Sequence, residues 1–527
     1  MSEVLPRIRA ESPVRRVPRS FRRAGAALRP HAPFLVALAG AALLRWTALR
    51  AYPGVLWFTG DSYFYIGYAM RLSPSAGKSV GYPMLLRLLE PWHSLVLVAA
   101  VQHLLGLATA VLGYLLLRRA RVPGALATLA LLPVLYDAYQ VELEHLLMSE
   151  TAYTFLLAAG LALLLWRPLG EGRPAPWWAA LAAGLLIGYA VLVRTAGIPL
   201  VPLAAVLLLA RRGGWRPALA FAAAVAVPVV AYASWFHAVN DGYGLTRSDG
   251  LFLWGRVAPF ADCAEIGPPA WEEPLCLPAE LHVDADAPGR LIWRTDIPPR
   301  QIYENPQAPF ANETLRDFSV RAILAQPGDY ASVVGEGLRM AFTTAREPYP
   351  TAPTETLYHF PRSPAAFPGG RSWGPDENST VLLDAAAYER GLNLSTVVEP
   401  YAGRMRAYQA RWHLPGPWLA ALFATGAVGV LTGRGRRPEL LLVWAAAATL
   451  LVFPIASADF DYRYVLPAVP FACVAAGLAF HRGLPGARPL PVLLPARRAV
   501  PAWAGRLTRW SGTPGSPRRG RGPASAP

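Results

Sequence analysis

Residues 92–117 read WHSLVLVAAVQHLLGLATAVLGYLLL, a stretch without Asp, Glu, Lys or Arg that Arg118 and Arg119 follow directly. A helix needs about 20 apolar residues to cross the roughly 30 Å of hydrocarbon in a bilayer. This stretch is therefore long enough to span a membrane. The whole chain of 527 residues is 54% hydrophobic and 16% charged, with a mean hydropathy of +0.29. Soluble domains carry about 25% charged residues, so the composition excludes a soluble enzyme.

Similar apolar stretches occur throughout the first 237 residues and again after residue 414. They predict an all-α polytopic membrane protein, although two of them are at the short limit for crossing a bilayer. We predict about ten transmembrane helices, near residues 31–50, 92–117, 122–136, 146–166, 177–194, 197–210, 217–237, 415–432, 439–456 and 465–481.

The charge distribution predicts the orientation of the chain. Residues 1–30 contain eight Arg and two acids, and residues 482–527 contain nine Arg and no acid. Because cytoplasmic segments are enriched in Arg and Lys, both termini are predicted in the cytoplasm. Nearly all basic residues are Arg, and this bias, together with 52 Pro, indicates a GC-rich bacterial genome. With the apolar stretches, it predicts a location in the bacterial plasma membrane. Because no nucleic-acid-binding motif is present, nucleic acid is not expected as a partner.

The hydrophilic segments predict the domain organisation. A basic tail (1–30), an N-terminal membrane module (31–237) with a long first exoplasmic loop (51–91), an exoplasmic domain (238–413), C-terminal membrane helices (414–481) and a disordered basic tail (482–527) follow one another. The exoplasmic domain holds 22 of the 34 acids and is expected to be helical and irregular. Since it faces the oxidising side, Cys263 and Cys276 are expected to form a disulfide.

Asp61 is the first candidate for chemistry. It stands in FTGDSYFY, residues 58–65, shortly after the first predicted span. The aromatic neighbours predict a short amphipathic helix in the membrane interface. A partly desolvated carboxylate there can accept a proton from a hydroxyl group or bind a cation. The alternative is a helix N-cap, since Gly-Asp-Ser before an apolar stretch is ordinary capping chemistry.

Three basic residues lie at the predicted exoplasmic ends of apolar stretches. Lys78, the only lysine of the chain, either snorkels to the interface or presents a compact charge to a phosphate. Arg194 lies where positive-inside statistics disfavour it, so it is expected to pair with an acid or a phosphate. Arg463, in DFDYRYVLP (459–467), either binds phosphate oxygens or forms a surface pair with Asp461.

A second group of acids surrounds the start of the fourth predicted span. Residues 136–145, YDAYQVELEH, hold three acids and a histidine: Asp137, Glu142, Glu144 and His145. Their spacing matches no fixed metal motif. Glu150 lies inside the start of the span and is a functional candidate. The alternative is that its side chain only snorkels to the edge of the membrane. Gln102 and His103 lie in the middle of the second span and are expected to form an interhelical hydrogen bond.

The order of these short motifs resembles that of the phospholipid-carrier-dependent glycosyltransferases of the GT-C fold, the superfamily of protein O-mannosyltransferases and the lipid A aminoarabinose transferase. The motifs are the acidic first loop, Gly-Tyr-Pro at 81–83, Ser-Glu at 149–150, LVRT at 192–195 and RYVLP at 463–467. The resemblance covers roughly residues 31–237 and 439–481. Residues 238–413 can be likened only to actinobacterial members whose acceptor is unknown.

The resemblance implies a reaction and its partners. A sugar would pass from a polyprenyl-monophosphate carrier, with inversion, to an exoplasmic glycan, lipid or protein. Asp61 would be the catalytic base. The lipid phosphate would be held by Lys78, Arg194, Arg463 and Tyr464.

Metal use is left open by the resemblance. Many relatives have a second acid after the first one in this loop, whereas here Ser62 follows Asp61. A partner acid, which orients the acceptor or binds a divalent metal ion, would therefore be Glu150, Asp137 or Glu142. No cofactor is assigned. Asp61, Glu150, Arg194 and Arg463 are expected to converge around one cavity at the outer leaflet.

Three other classes of protein compete with this hypothesis. A transporter or flippase of lipid-linked sugars is expected to carry broken helices near the bilayer midplane and repeat symmetry. A ligase that uses a diphosphate-linked oligosaccharide is expected to carry several exoplasmic Arg and a catalytic His. The third class is a non-catalytic scaffold whose residues 238–413 bind a partner.

Overall fold

The computed structural model describes residues 29–171, 173–211, 214–282, 287–368, 372–391, 395–432 and 437–481. All of these residues belong to one compact unit, Met1–Pro489. The tail predicted to be disordered, at 482–527, and nearly all of the tail at 1–30 lie outside the described residues.

The described residues form helices and no strand, apart from one isolated bridge between Leu56 and Leu146. The first ten helices are α1 (Ala32–Ala51), α2 (Asp61–Met70), α3 (Gly81–Leu89), α4 (Leu95–Arg119), α5 (Gly124–Tyr136), α6 (Ala138–His145), α7 (Glu150–Glu171), α8 (Trp177–Val193), α9 (Leu200–Ala210) and α10 (Trp215–Asn240).

Shorter helices follow in the predicted exoplasmic segment. They are α11 (Asp249–Val257), α12 (Cys263–Ile266), α13 (Ala279–His282), α14 (Pro288–Leu291), α15 (Pro298–Ile302), α16 (Pro309–Ala325), α17 (Pro327–Ala341), α18 (Ala352–Thr356), α19 (Val381–Glu389) and α20 (Tyr401–Gln409). The last four helices are α21 (Gly416–Thr432), α22 (Arg437–Ser457), α23 (Tyr462–Val465) and α24 (Val469–Ala479). Five 3₁₀ turns lie at Arg29–His31, Glu90–Trp92, Thr195–Gly197, Glu273–Leu275 and Leu466–Ala468.

The prediction of a multi-pass membrane protein is confirmed, but the number of ten spans is not. Among the described residues, six helical stretches are long and apolar enough to cross a membrane: Arg29–Ala51, Leu95–Arg119, Glu150–Glu171, Trp215–Asn240, Pro438–Ser457 and Tyr462–Ala479. Helices α5 and α6 would add a seventh span if the pair, bent by 50°, crosses as one. The other three predicted spans coincide with apolar helices of at most 17 residues, Trp177–Val193, Thr195–Ala210 and Gly416–Thr432. Apolar composition located all ten stretches, whereas helix length separates these three from the rest.

The part of the first loop that carries Asp61 is packed into the protein. Seven of the ten residues of α2 are buried, including Asp61. The backbone N–H of Leu56 donates to the carbonyl of His145 (2.9 Å), and the N–H of Leu147 donates back to the carbonyl of Leu56 (2.9 Å). These bonds fix the segment before α2 beside the segment before α7. Protein contacts therefore cover most of α2, and its position in the membrane interface stays a prediction.

The polar residues in the middle of α4 do form interhelical hydrogen bonds, as predicted. The amide of Gln102 donates to the carbonyls of Glu144 (3.0 Å) and Leu146 (2.8 Å). The His103 ring lies 3.0 Å from the Glu144 carboxylate and 2.9 Å from the His145 ring. The Arg45 guanidinium closes the network on the same carboxylate at 2.8 Å. These partners satisfy Glu144 and His145 within the helix bundle, so this network holds α1, α4 and α6 together.

The predicted exoplasmic segment contains an apolar cluster of its own. Helices α11 and α16 pack against each other around the buried Trp254 and Phe318. A disulfide joins Cys263 to Cys276 at the edge of this cluster. Closing a loop of this size stabilises a domain by about 3 kcal/mol in the chain-entropy model.

Candidate active site

Asp61 is the first residue of α2, and its side chain is left free for ion pairs. Gly60 takes the N-cap position with a φ of 83°, in the left-handed region that glycine adopts readily, and no side chain caps the helix. The alternative that Asp61 is an N-cap is therefore wrong. Its side chain is buried, with the residue only 6% exposed. The two carboxylate oxygens contact different cations, Oδ1 the ammonium of Lys78 and Oδ2 the guanidinium of Arg463.

Lys78 lies in the connection between α2 and α3 and points into the protein. Besides its contact with Asp61, its Nζ lies 5.7 Å from the ring centre of Phe64 and 6.0 Å from that of Tyr65. Aromatic faces attract a cation at such distances. The only lysine of the chain is thus held against aromatic rings beside Asp61, and it does not snorkel to the interface.

Glu150 and Arg194 form the second ion pair of the site. Glu150 is the first residue of α7 and is fully buried. Arg194 directly follows α8, and its Nη1 lies 2.6 Å from Oε1 of Glu150 and 3.2 Å from the Ser149 hydroxyl. The predicted pairing of Arg194 with an acid is confirmed, and Glu150 does not reach the rim.

Arg463 connects the two ion pairs. Besides contacting Asp61, it places Nε 2.8 Å from Oδ2 of Asp461 and 3.9 Å from Oε1 of Glu150. The guanidinium groups of Arg463 and Arg194 lie 5.3 and 5.4 Å from the ring centre of Tyr464. The pair with Asp461 is thus part of a larger, mostly buried cluster and not an isolated surface pair.

Asp61, Glu150, Arg194 and Arg463 lie together as predicted, whereas a cavity at the outer leaflet stays a prediction. Asp61 and Arg463 are 402 positions apart in the sequence, yet they are in direct contact. The cluster balances three carboxylates with three cations: Asp61, Glu150 and Asp461 with Lys78, Arg194 and Arg463. Buried ions are stable only when they are paired, so this balance is what allows the cluster to exist. We call these six residues the ionic cluster.

Asp137 and Glu142 do not contact the ionic cluster. Asp137 caps α6 by accepting a hydrogen bond from the backbone N–H of Tyr139 (3.1 Å). Glu142 is buried in α6, and neither of its oxygens has a hydrogen-bond partner among the described residues. A role of these two acids toward an acceptor stays a prediction. Within the described ranges, no group of three or more His, Cys, Asp or Glu is placed to hold a metal ion.

Sequence reasoning missed the role of two residues. Asp461 was considered only as a surface partner of Arg463, although it belongs to the ionic cluster. Tyr358, from the predicted exoplasmic segment, donates its hydroxyl hydrogen to Asp461. The short spacing of Asp461 and Arg463 could have indicated the first of these contacts. No local signal indicates the second, because it joins residues 103 positions apart.

The fold and the site define a class: a multi-pass helical membrane protein with a mostly buried ionic cluster where several apolar helices begin or end. No protein-family model and no curated protein matches the chain.

Solved structures similar to this chain include the archaeal oligosaccharyltransferase AglB from Archaeoglobus fulgidus in complex with an inhibitory peptide and a dolichol-phosphate. It is 14% identical, with a TM-score of 0.40, over 84% of this chain and 50% of that one. The Archaeoglobus fulgidus oligosaccharyltransferase tethered to an acceptor peptide that contains the NVT sequon is 13% identical, with a TM-score of 0.39, over 86% of this chain and 50% of that one. The chain thus spans about half the length of these enzymes, and a likeness at this level does not assign an activity.

Proposed function

We propose that the protein is a membrane glycosyltransferase that moves a sugar from a polyprenyl-monophosphate carrier to an exoplasmic acceptor. The observation that supports this proposal most directly is the contact of a buried carboxylate, Asp61, with Lys78 and Arg463. A transferase of this kind needs a base that takes the proton of the acceptor hydroxyl. Beside it, the enzyme needs cations that bind the departing phosphate. The ionic cluster contains both.

The cations provide a binding site for the donor phosphate. Lys78, Arg194 and Arg463 lie on three different segments that meet at Asp61 and Glu150. Charge-assisted hydrogen bonds from such groups to phosphate oxygens are short and strong. Stabilising the charge that develops on the leaving phosphate lowers the barrier to transfer by several kcal/mol.

Binding of the donor would also prepare Asp61 for catalysis. Each oxygen of Asp61 contacts a cation. A phosphate that takes over Lys78 and one nitrogen of Arg463 leaves an oxygen of Asp61 open. The acceptor oxygen then attacks the anomeric carbon while the bond from that carbon to the phosphate oxygen breaks. The leaving phosphate keeps the electron pair, and Asp61 takes the proton of the acceptor hydroxyl.

The location of the cluster suits a lipid-linked donor. Glu150 begins α7 and Arg463 lies in the first turn of the last span, so both mark the end of an apolar helix. A headgroup at this level can reach the cluster while its prenyl chain stays in the bilayer. With both termini in the cytoplasm, this end faces the exoplasm. The acceptor would then meet the first loop and the segment 238–413.

The test is transfer of labelled sugar from a synthetic polyprenyl-phosphate donor to endogenous acceptors in membranes. We expect Asp61→Asn to lower transfer at least about 100-fold, because an amide cannot take the proton. Asp296→Asn is the control, since Asp296 is an exposed acid of the 238–413 segment. Wild-type transfer by a folded Asp61→Asn protein would remove Asp61 from the mechanism. Transfer from a diphosphate-linked donor, with no transfer from the monophosphate-linked donor, would favour the ligase alternative.

A further inference from the structure

Asp461 holds Arg463 in a different way from the other acids of the ionic cluster. Its Oδ1 accepts the backbone N–H of Arg463 at 3.2 Å and so caps α23. Its Oδ2 lies 2.8 Å from Nε of the same arginine, an ion pair that lacks hydrogen-bond geometry. Asp461 therefore holds both the backbone and the side chain of Arg463.

Tyr358 fixes Asp461 in turn. It is 2% exposed, and its ring lies 5.3 Å from that of Phe58 and 6.3 Å from that of Tyr462. Its hydroxyl group donates to Oδ1 of Asp461. Burial and the Asp461 carboxylate raise the pKa of Tyr358 well above its ordinary value. The hydroxyl group therefore stays protonated and remains a donor at physiological pH.

Asp61 and Asp461, the two carboxylates that contact Arg463, thus differ in how they are held in place. Asp61 meets Nη1 of Arg463, and its other oxygen faces Lys78, a second cation that a phosphate would attract. Asp461 meets Nε and is anchored by a helix cap and by Tyr358. Because Asp461 is anchored and Asp61 is not, we expect an entering anion to displace Asp61 from Arg463 first, although Nη1 donates a hydrogen bond to Asp61.

We propose that Asp461 and Tyr358 are positioning residues. They hold Arg463 at Nε while the Nη nitrogens of Arg463 release Asp61 and bind the donor phosphate. This inference rests on the proposed function. Tyr358 lies in the segment 238–413, where the acceptor is expected to bind. The contact therefore makes the geometry of the phosphate-binding arginine depend on the position of the acceptor segment.

The kinetics of the Tyr358→Phe variant test this positioning role against a matched control. The control is Tyr462→Phe, because the Tyr462 hydroxyl bonds only to the backbone of Glu347, at 2.8 and 3.0 Å. We expect kcat to fall about ten-fold in Tyr358→Phe, the usual effect of losing a hydrogen bond to a charged group. The KM for the acceptor should not change, and Tyr462→Phe should keep the wild-type kcat.

The double variant Tyr358→Phe/Asp461→Asn separates positioning from general destabilisation. If Tyr358 acts only through Asp461, the double variant should be no slower than Asp461→Asn alone, whereas independent effects would multiply. Equal losses in Tyr358→Phe and Tyr462→Phe, or multiplying losses in the double variant, would overturn the inference. If Asp461→Asn does not fold, the comparison of the two tyrosine variants decides.

Binding of undecaprenyl phosphate in detergent micelles keeps this test apart from that of the proposed function. We expect Asp461→Asn, or Tyr358→Phe if the former does not fold, to bind the lipid at least five-fold more weakly than Tyr462→Phe. If the wild-type protein shows no transfer activity, the proposed function is contradicted. The comparison of lipid affinities would still decide whether Asp461 and Tyr358 position Arg463. Equal affinities in all variants would show that Arg463 needs no positioning by Asp461.

Discussion

Lys78 shows at the scale of one residue why the type of cation matters. Its ammonium group contacts Asp61 between the rings of Phe64 and Tyr65, on a stem that enters from the connection before α3. An ammonium group is a compact point charge, whereas a guanidinium group is a wide planar fork. We therefore expect the site beside Asp61 to favour the smaller group.

Substitution of Lys78 tests this match. We expect Lys78→Met to lower kcat/KM for the donor at least about ten-fold, through loss of a charge-assisted hydrogen bond to the phosphate. Lys78→Arg should recover only part of this loss, because the larger group meets the two rings. Donor titrations in the transfer assay measure both effects. Full activity of Lys78→Arg would mean that any positive charge suffices there.

The residue scale also shows the limit of sequence reasoning at the site. Asp61, Glu150, Arg194 and Arg463 were identifiable because charged residues at the ends of apolar stretches are costly and therefore informative. The partners of Glu144 were not identifiable from the sequence, because hydropathy does not indicate which helix faces Arg45. Tyr358 lies in a Pro- and Gly-rich segment and reaches the cluster only through the tertiary fold.

At the scale of helices, the contact between α3 and α8 positions two of the cluster's cations. Gly81 begins α3, and a Cβ built on it would lie 2.3 Å from the carbonyl oxygen of Leu192 and 2.6 Å from the backbone nitrogen of Val193. Lys78 precedes this contact along one chain segment and Arg194 follows it along the other. Only glycine permits this distance between the two backbones.

Gly81→Ala tests the contact. We expect a loss of about 1–3 kcal/mol of stability, as for other overpacked sites, with a larger loss of transfer because Lys78 and Arg194 move apart. Gly335→Ala is the matched control, since a Cβ there would meet nothing within 4 Å. Thermal unfolding in detergent and the transfer assay measure the two effects. Equal behaviour of both variants would argue against a tight contact at Gly81.

At the scale of the whole molecule, composition located the apolar helices but could not count the spans. Hydropathy reports only that a segment avoids water. Whether α9 or α21 crosses the bilayer depends on length, tilt and neighbours. The buried first loop was likewise unpredictable, because its cover comes from segments such as residues 372–391, which are more than 300 positions away.

The orientation of the chain has a direct test in its three cysteines. The disulfide between Cys263 and Cys276 forms and persists in an oxidising compartment, while Cys473 is free and buried. We expect denatured, unreduced protein from cells to take up one maleimide mass tag and reduced protein to take up three. Three tags without reduction would place the segment 238–413 in the cytoplasm and contradict an exoplasmic site.

An experimental structure with undecaprenyl phosphate bound, obtained by cryo-electron microscopy in lipid nanodiscs, tests the central claim most directly. The account predicts phosphate oxygens about 3 Å from the side-chain nitrogens of Lys78 and Arg463. It also predicts that Asp61 is released from at least one of these cations and that Asp461 still holds Arg463. A phosphate bound elsewhere, with the ionic cluster unchanged, would contradict it.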